Sequence, residues 1–306
     1  MMIDYQKDTA LELCVQAVAL AQAIGDDEIR ADALVTQGVI LATHGEAQGI
    51  TMLEEALHLV GHRGRVASRA YTNLGIAWAE AGDYRRADAV LERGLEVAER
   101  DGEEQGARFM RGNRMGFRYV LGDWDGALAL AERFLAEGAD QYQASAAREV
   151  RARIAVARGD TATAMSEITR VVKHARSAGD SQLLWPALVA FARLARRAGC
   201  DEESRRATLE VVEAIARSES VGDVAEWHIE LLLGLDALDR SSDGRKIVER
   251  VHEGLWRDAC WATIEGDYVG VAETLARIGE QPLQAEMRLL GARTLTAEGR
   301  LVEAEE

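Results

Sequence analysis

The chain is poor in the residues that break helices, cross-link loops or build aromatic cores. Its 306 residues include two prolines and three cysteines, and aromatic residues make up 5% of them. Cys14, Cys200 and Cys260 stand far apart, in an odd number and without a CxxC pair, which argues against a disulfide framework or a zinc site. No apolar run approaches the roughly 20 residues of a membrane span, and the N-terminus lacks the plan of a signal peptide. We therefore expect a soluble, cytoplasmic protein that makes no contact with membranes.

Positive charge is also in deficit. The chain has 36 basic and 52 acidic residues, a formal net charge of −16. Such a chain repels phosphate backbones unless its basic residues are gathered locally. We therefore expect no nucleic-acid partner for this segment.

What the chain has in abundance favours helices. Hydrophobic residues make up 48% of it, and alanine and leucine, both strong helix formers, dominate. No stretch alternates Val, Ile and Thr between turn signals, so strands are not expected. The predicted class is all-α.

A glycine followed by an acidic residue recurs along the chain. Gly-Asp occurs at Gly82, Gly122, Gly159 and Gly266, with Gly45, Gly199 and Gly299 in the same register. From Gly45 to Gly199 successive glycines are 37 or 40 residues apart. A fixed period of this size is typical of stacked helical hairpins. We predict a right-handed α-α superhelix, a solenoid of about eight hairpins.

The clearest repeat runs over residues 65–100. Its first helix is predicted to carry Tyr71, Leu74, Gly75 and Trp78 on one face, and its second Ala87, Leu91 and Gly94. Small residues let two helix backbones approach while large ones fill the remaining volume. Asp83, directly after the turn glycine, is predicted to cap the second helix. This order of large and small residues resembles the tetratricopeptide repeat.

The organisation is predicted to be a single repeat array over residues 1–306, with an irregular joint near residues 240–256. Residues 9–24 are predicted to form a second helix whose first helix is largely missing, and residues 301–306 to begin another second helix. Terminal repeats usually carry a polar cap, and neither end has one. We therefore expect a fragment of a longer polypeptide.

Three strings extend the resemblance beyond a generic repeat. Residues 122–131, 153–160 and 174–188 resemble the helical-repeat region of large bacterial signalling proteins, in which a class III nucleotidyl cyclase or a LuxR-type DNA-binding domain is joined to a regulatory ATPase. The resemblance implies that the repeats act as a sensor arm. This chain has no cyclase metal-binding motif, no GxxxxGK[ST] loop and no helix-turn-helix, so no catalytic residue is carried over.

Arginines form the most unusual local pattern. Arg108, Arg111, Arg114 and Arg118 fall on one face of a predicted first helix, and the next first helices repeat the pattern. Because arginine's planar fork suits carboxylates and phosphates, one interpretation is an anion site on the concave surface. Tyr119 and Phe109 would be the stacking residues of that site. The alternative is that the arginines pair with acidic residues of neighbouring helices. The candidate ligand- or partner-binding residues are Arg111, Arg114, Arg118, Tyr119, Arg148, Arg151, Arg153 and Arg193.

No constellation points to metal or acid–base chemistry. His58 and His62 have the spacing of helical metal ligands, but no HExxH-type pattern surrounds them. No Ser-His-Asp or Cys-His set stands out, and no predicted pocket would shift the pKa of a paired carboxylate. We expect no catalytic residues, no metal and no cofactor.

The predicted function is that of a non-catalytic binding and regulatory scaffold. A solenoid offers a surface for holding a partner, so we expect a protein, a peptide or a small anionic effector on the concave face. Two alternatives stay open: a structural module that self-associates as a homo-oligomer, and an enzyme that works within the groove.

Overall fold

Every element of the protein is a helix. The computed structural model describes residues 7–136, 141–218, 221–222, 224–301 and 304, and no strand occurs within those ranges. The all-α class predicted from composition is therefore confirmed. None of the helices in those ranges is long and apolar enough to cross a bilayer.

The chain divides into two compact units, residues 1–117 and 118–306, and the division falls inside the sixth helix. The helices that begin in the first unit are α1 (Lys7–Ile24), α2 (Asp27–Ala42), α3 (Gln48–Leu59), α4 (Gly64–Glu80), α5 (Tyr84–Asp101) and α6 (Glu104–Val120). Those of the second unit are α7 (Trp124–Ala136), α8 (Gln141–Ala157), α9 (Thr161–Ala178), α10 (Ser181–Arg197), α11 (Asp201–Ala216), α12 (Glu226–Asp236), α13 (Ser241–Val248), α14 (Leu255–Glu265), α15 (Tyr268–Ile278) and α16 (Gln281–Ala297). That the two units form one continuous array stays a prediction, as does the hand of the superhelix.

The recurring glycines end the first helix of each hairpin. Gly82 and Gly159 have φ angles of 83° and 86°, in the left-handed region that glycine enters without a steric penalty. The aspartate that follows each of them caps the second helix, as predicted for Asp83: its carboxylate accepts a hydrogen bond from the Arg86 amide at 2.9 Å. The Asp160 carboxylate does the same for the Thr163 amide at 3.0 Å. Each Gly-Asp pair thus both ends one helix and starts the next.

Within a hairpin the backbones approach as closely as the sequence predicted. A Cβ atom on Gly75 of α4 would lie 2.5 Å from Cδ2 of Leu91 on α5, so only glycine fits at that position. Ala87 and Leu91 are fully buried, and Tyr71 is 6% exposed. Trp78 differs from the expectation: it is only half-buried, and the guanidinium of Arg86 lies 4.1 Å from its ring centroid. It therefore covers the edge of the hairpin rather than filling its centre.

One turn between Gly199 and Gly266 lies at Asp239. This residue stands 40 positions after Gly199, between α12 and α13, and has a φ of 57°. The period therefore extends to Asp239, where an aspartate occupies the position of the turn glycine, and it breaks after that point, since Gly266 follows 27 residues later. The helix that follows is short: α13 has 8 residues, whereas α11, the second helix of the preceding hairpin, has 16. This short helix lies in the segment predicted as an irregular joint.

Residues far apart in the sequence meet inside the second unit. A Cβ atom on Gly122 would lie 2.3 Å from Oε1 of Gln281, and one on Gly279 would lie 3.5 Å from Leu121. The start of α16 therefore lies against the turn between α6 and α7. In a simple solenoid each repeat touches only its neighbours. Here the first helices of several hairpins enclose a common interior.

The termini are described in part. The helix predicted over residues 9–24 is observed as α1. Of the second helix predicted to begin at residues 301–306, Leu301 and Ala304 are helical, and the other four positions lie outside the described residues.

Asp239→Gly should raise the free energy of unfolding by about 1 kcal/mol, because glycine lacks the Cβ atom that opposes a positive φ. Urea unfolding monitored by circular dichroism measures the change. Asp239→Ala is the control, since it removes the carboxylate but keeps the Cβ atom, and it should give no gain. Equal stability of the two variants would contradict the assigned turn geometry.

Candidate functional site

The two candidate arginines of the first unit are held by acidic side chains. Arg114 on α6 is 7% exposed, and its Nε and Nη2 donate to Asp88 at 2.8 Å and to Glu92 at 2.7 Å, both on α5. Burial opposes the charge of Arg114, but the two carboxylates outweigh it and raise the pKa of Arg114. Arg111 lies 3.8 Å from Glu99 and 3.6 Å from Glu104. The contacts with Asp88, Glu92 and Glu99 join α6 to α5, whereas the contact between Arg111 and Glu104 lies within α6.

Three candidate arginines of the second unit are also ion-paired. Arg118 donates to Asp123, the cap of α7, at 3.1 Å. Arg148 and Arg151 on α8 both approach Glu167 on α9, at 2.7 Å and 3.7 Å. These pairs connect adjacent helices, which is the alternative that the sequence left open.

The remaining two arginines converge on one buried carboxylate, that of Glu230 on α12. Arg153 on α8 donates to both oxygens of Glu230, at 2.7 Å and 3.2 Å, and its Nε donates to Glu149 at 2.9 Å. Arg193 on α10 donates to Oε1 of Glu230 and also to Glu286 on α16. Glu230 is 4% exposed and Arg153 is 6% exposed. We call Glu149, Arg153, Arg193, Glu230 and Glu286 the buried charge cluster.

Burial and charge act in opposite directions in this cluster, and charge prevails. Burial raises the pKa of a carboxyl group, but the guanidinium groups of Arg153 and Arg193 lower the pKa of Glu230 to about 2. Burial likewise opposes the charge of both arginines, yet Glu230 raises their pKa values above the ordinary value. All three groups are therefore ionised near neutral pH.

A small cleft opens beside the cluster. It has a volume of about 140 Å³, and its walls include Tyr119, Trp124, Arg193, Arg197 and Glu286. The Tyr119 and Trp124 rings are stacked, with centroids 6.2 Å apart and planes 12° apart. Nη2 of Arg197 lies 3.1 Å from Glu286, and 39% of the Arg197 side chain is exposed. The Trp124 indole N–H is buried and has no hydrogen-bond partner among the residues that the structure describes. We call this space the Arg197 cleft.

A second acidic group adjoins the cluster. Glu280 is 1% exposed and caps α16, since its carboxylate accepts hydrogen bonds from the amides of Leu283 at 2.6 Å and Gln284 at 3.3 Å. Burial and the nearby Glu226 raise the pKa of Glu280 well above its ordinary value. Burial also raises the pKa of Glu226. Burial raises the pKa of Tyr119 to about 12, so its hydroxyl stays protonated.

The structure brings together only part of the candidate set. Tyr119, Arg153 and Arg193 line the Arg197 cleft, whereas Arg118, Arg148 and Arg151 lie outside it. All seven candidate arginines have acidic partners, which accounts for them without a ligand. That the set forms an anion site stays a prediction.

Sequence reasoning missed Glu230, Glu280, Glu286 and Arg197. A signal for Glu230 was present, because it stands in the largely apolar run Trp-His-Ile-Glu-Leu-Leu-Leu. A helix that is apolar on all sides is buried on all sides, so a glutamate within it is expected to be buried. Glu280 follows the turn residue Gly279, at the position that aspartate occupies in other repeats. Nothing local to Glu286 or Arg197 distinguishes them from exposed helix charges.

The histidine pair weighed as a metal site has another role at His62. Its Nδ1 lies 2.9 Å from the Tyr71 hydroxyl, and its own φ is 55°, in the turn before α4. No group of three or more His, Cys, Asp or Glu residues with metal-binding geometry occurs in the described ranges.

A larger groove of the second unit lies elsewhere. It has a volume of about 870 Å³ and lies between α15 and α16, where Tyr268, Val269, Leu289 and Leu295 line it. Arg300 and Ala304 also line it, so the chain after α16 enters this groove. The smaller Arg197 cleft is the better candidate for recognition, because buried charges and aromatic rings border it.

Comparison with known proteins adds a similarity of fold. No protein-family model matches the chain, and no curated protein matches it. Among solved structures, the chain is similar to a tetratricopeptide repeat protein from Parabacteroides merdae, with 14% sequence identity and a TM-score of 0.41. The alignment covers 92% of this chain and 99% of that one. A TM-score this low does not establish a shared fold, so the assignment of a helical-repeat fold depends on the helices and turns described above.

Glu230→Gln should lower the free energy of unfolding by about 3 kcal/mol, because it leaves two buried guanidinium groups short of a counter-charge. Urea unfolding at neutral pH measures the loss. Glu202→Gln is the matched control: Glu202 also pairs with two arginines, Arg205 and Arg206, but all three side chains are at least half exposed. It should cost about 0.5 kcal/mol or less. Equal costs for the two variants would contradict a buried, structural cluster.

His228 should make the second unit sensitive to mild acid. It is 1% exposed, its Nε2 lies 3.1 Å from the Val221 carbonyl oxygen, and burial lowers its pKa from 6.5 to about 4. Between these values the unfolded chain binds the proton at His228 and the folded chain does not, so the His228 contribution to the free energy of unfolding should fall as pH drops from 6.5 towards 4. The loss is about 3 kcal/mol.

Urea unfolding at several pH values between 7 and 4 tests this dependence. His228→Phe should reduce the slope over that range, whereas the same substitution at exposed His58 should leave it unchanged. The Glu230 contribution falls only below its ordinary value of 4.5, whereas the raised pKa values of Glu226 and Glu280 act above 4.5 and oppose the His228 effect. The difference in slope between the parent chain and His228→Phe therefore isolates the histidine, and equal slopes in the two would contradict the assignment.

Proposed function

We propose that this protein is a non-catalytic binding module, and that the Arg197 cleft holds a carboxylate of an acidic peptide or of a small anionic effector. The observation that carries the proposal is the combination of donors at the cleft. The space of about 140 Å³ is bordered by the partly exposed guanidinium of Arg197 and by Trp124, whose buried indole N–H has no hydrogen-bond partner among the described residues. Both are donors, so the matching ligand group is an acceptor.

The charged side chains of the cleft suit an anion that competes with the Glu286 carboxylate for Arg197. Arg193 is saturated by Glu230 and Glu286, but Arg197 has only Glu286 as its ion-pair partner among the described residues. A bound carboxylate would accept hydrogen bonds from Arg197 and from Trp124, and Glu286 would keep Arg193. The stacked Tyr119 and Trp124 rings would pack against the apolar part of the ligand.

The ion pairing of the cleft favours binding over catalysis. Arg153, Arg193, Arg197 and Glu286, the charged side chains that line the cleft, are all held in ion pairs. Groups held in that way are poor proton donors or acceptors for a reaction near neutral pH. We therefore propose recognition rather than turnover.

We further propose that the module is the sensor arm of a larger signalling or transcription-regulating protein, as its resemblance to such repeat regions implies. Support comes from α16, which contributes Pro282 and Glu286 to the cleft and packs against the turn between α6 and α7. A ligand that competes for Arg197 would change how α16 is held. That change is the proposed signal to attached domains.

Binding can be measured with labelled hexapeptide pools that carry Asp and Glu, against matched pools that carry Asn and Gln. The acidic pool should bind, and Arg197→Ala and Trp124→Phe should each weaken binding about tenfold, since each removes one donor to the ligand. Trp124→Phe keeps an aromatic ring in the stack.

Arg205→Ala is the control, because Arg205 is an exposed arginine of α11 that pairs with a glutamate of its own helix. It should leave binding unchanged. Equal binding of both pools, or full affinity in Arg197→Ala, would overturn the proposed cleft. Turnover of a hydrolase or transferase substrate that a single substitution abolishes would overturn the non-catalytic assignment.

A further inference from the structure

The first three helices carry half of the net charge of the chain. Residues 1–62 contain two basic and ten acidic residues, a net charge of −8 against −16 for the whole protein, in about a fifth of its length. One of the two basic residues, Arg30, is neutralised by Glu55 at 2.7 Å. This end of the first unit is therefore strongly acidic.

The same region exposes an apolar helix face. Leu13, Leu20 and Ile24 of α1 are 60%, 67% and 72% exposed. With the half-buried Ala17 they follow spacings of four, three and four residues, which place them on one side of the helix. The adjoining side of α1 carries the buried residues Cys14 and Ala21, and α1 packs against α2. We call Leu13, Ala17, Leu20 and Ile24 the apolar stripe.

A groove continues the stripe towards α2. It has a volume of about 450 Å³, with Leu13 and Ala17 of α1 on one wall and Ile29 and Ala33 of α2 on the other. Ile29 is itself 51% exposed. Asp26, Glu28 and Asp32 also line the groove, as does Arg65 at the start of α4.

We infer that the apolar stripe and this groove bind a basic amphipathic helix of a partner protein. A helix laid along α1 would place apolar side chains at positions i, i+3, i+4 and i+7 against the stripe. Its flanking lysines or arginines would face Glu12 beside the stripe and Glu28 beside the groove, both of which are exposed. Apolar burial supplies affinity, and the charge of −8 selects a basic partner.

A second copy of the chain fits this surface poorly. A symmetric dimer through the stripe would bring the same patch of both copies together. Each patch lies in a region of net charge −8, so such a dimer would place like charges side by side. Charge therefore favours a partner of different composition over self-association.

The probe is a labelled helical peptide of 18 residues, the length of α1, with leucines along one face and lysines on the other. Fluorescence anisotropy with the full chain should show binding that weakens as salt is raised. A control peptide with glutamate in place of every lysine should bind at least about tenfold more weakly, since like charges repel.

Two variants assign the surface. Leu13→Ser combined with Leu20→Ser should weaken binding of the lysine peptide about tenfold or more, because two largely exposed leucines would lose their burial in the complex. Glu12→Lys combined with Glu28→Lys should weaken binding and flatten its salt dependence. All four positions are exposed, so melting temperatures should stay close to that of the parent chain.

The matched controls lie in the second unit. Leu289→Ser removes a leucine that is 52% exposed, and Glu213→Lys reverses an exposed acid of α11; neither should alter binding. Equal binding of the lysine and glutamate peptides, or full affinity in the double serine variant, would overturn the inference. The inference would also be overturned, in favour of self-association, by two results together: the parent chain forms a concentration-dependent dimer that the double serine variant does not form, and the lysine peptide does not bind.

Discussion

A single buried carboxylate, that of Glu230, constrains the interior of the second unit. It lies on an almost entirely buried helix and is ionised only because Arg153 and Arg193 approach it from two other helices. A charge in such a position is tolerated when its counter-charges are fixed, and it then dictates where their helices lie. Through Arg193 the same constraint reaches Glu286 on α16. Helices α8, α10, α12 and α16, which an open array would keep apart, are thereby held together around Glu230.

This constraint determines what kind of surface the second unit offers. The buried charge cluster, contributed by α8, α10, α12 and α16, occupies the interior of this unit. Beside it lies a cleft of about 140 Å³ bordered by Arg197, Trp124 and Tyr119. A cleft of that size suits one functional group of a ligand rather than a length of chain. The proposed function is accordingly the recognition of a carboxylate.

The first unit offers a surface of another kind. Its ion pairs, such as those of Arg114 with Asp88 and Glu92, join neighbouring helices and leave no charged interior of comparable extent in the described residues. Its distinctive feature is the exposed side of α1, which is apolar within an acidic region. The repeated hairpins therefore present different surfaces, because the repeat pattern specifies only the residues packed between paired helices and not those on their outer faces.

The sequence by itself determined the hairpins. Gly75 and Leu91 meet because the turn at Gly82 folds α5 back on α4 with a small and a large residue opposite each other, and Asp83 caps because it follows the turn glycine. These are local effects, carried by neighbours in the chain. Only the tertiary structure decided which charges meet: Arg193 and Glu286 stand 93 positions apart. Periodicity cannot specify such a pair, because it depends on how several hairpins curve around a shared interior.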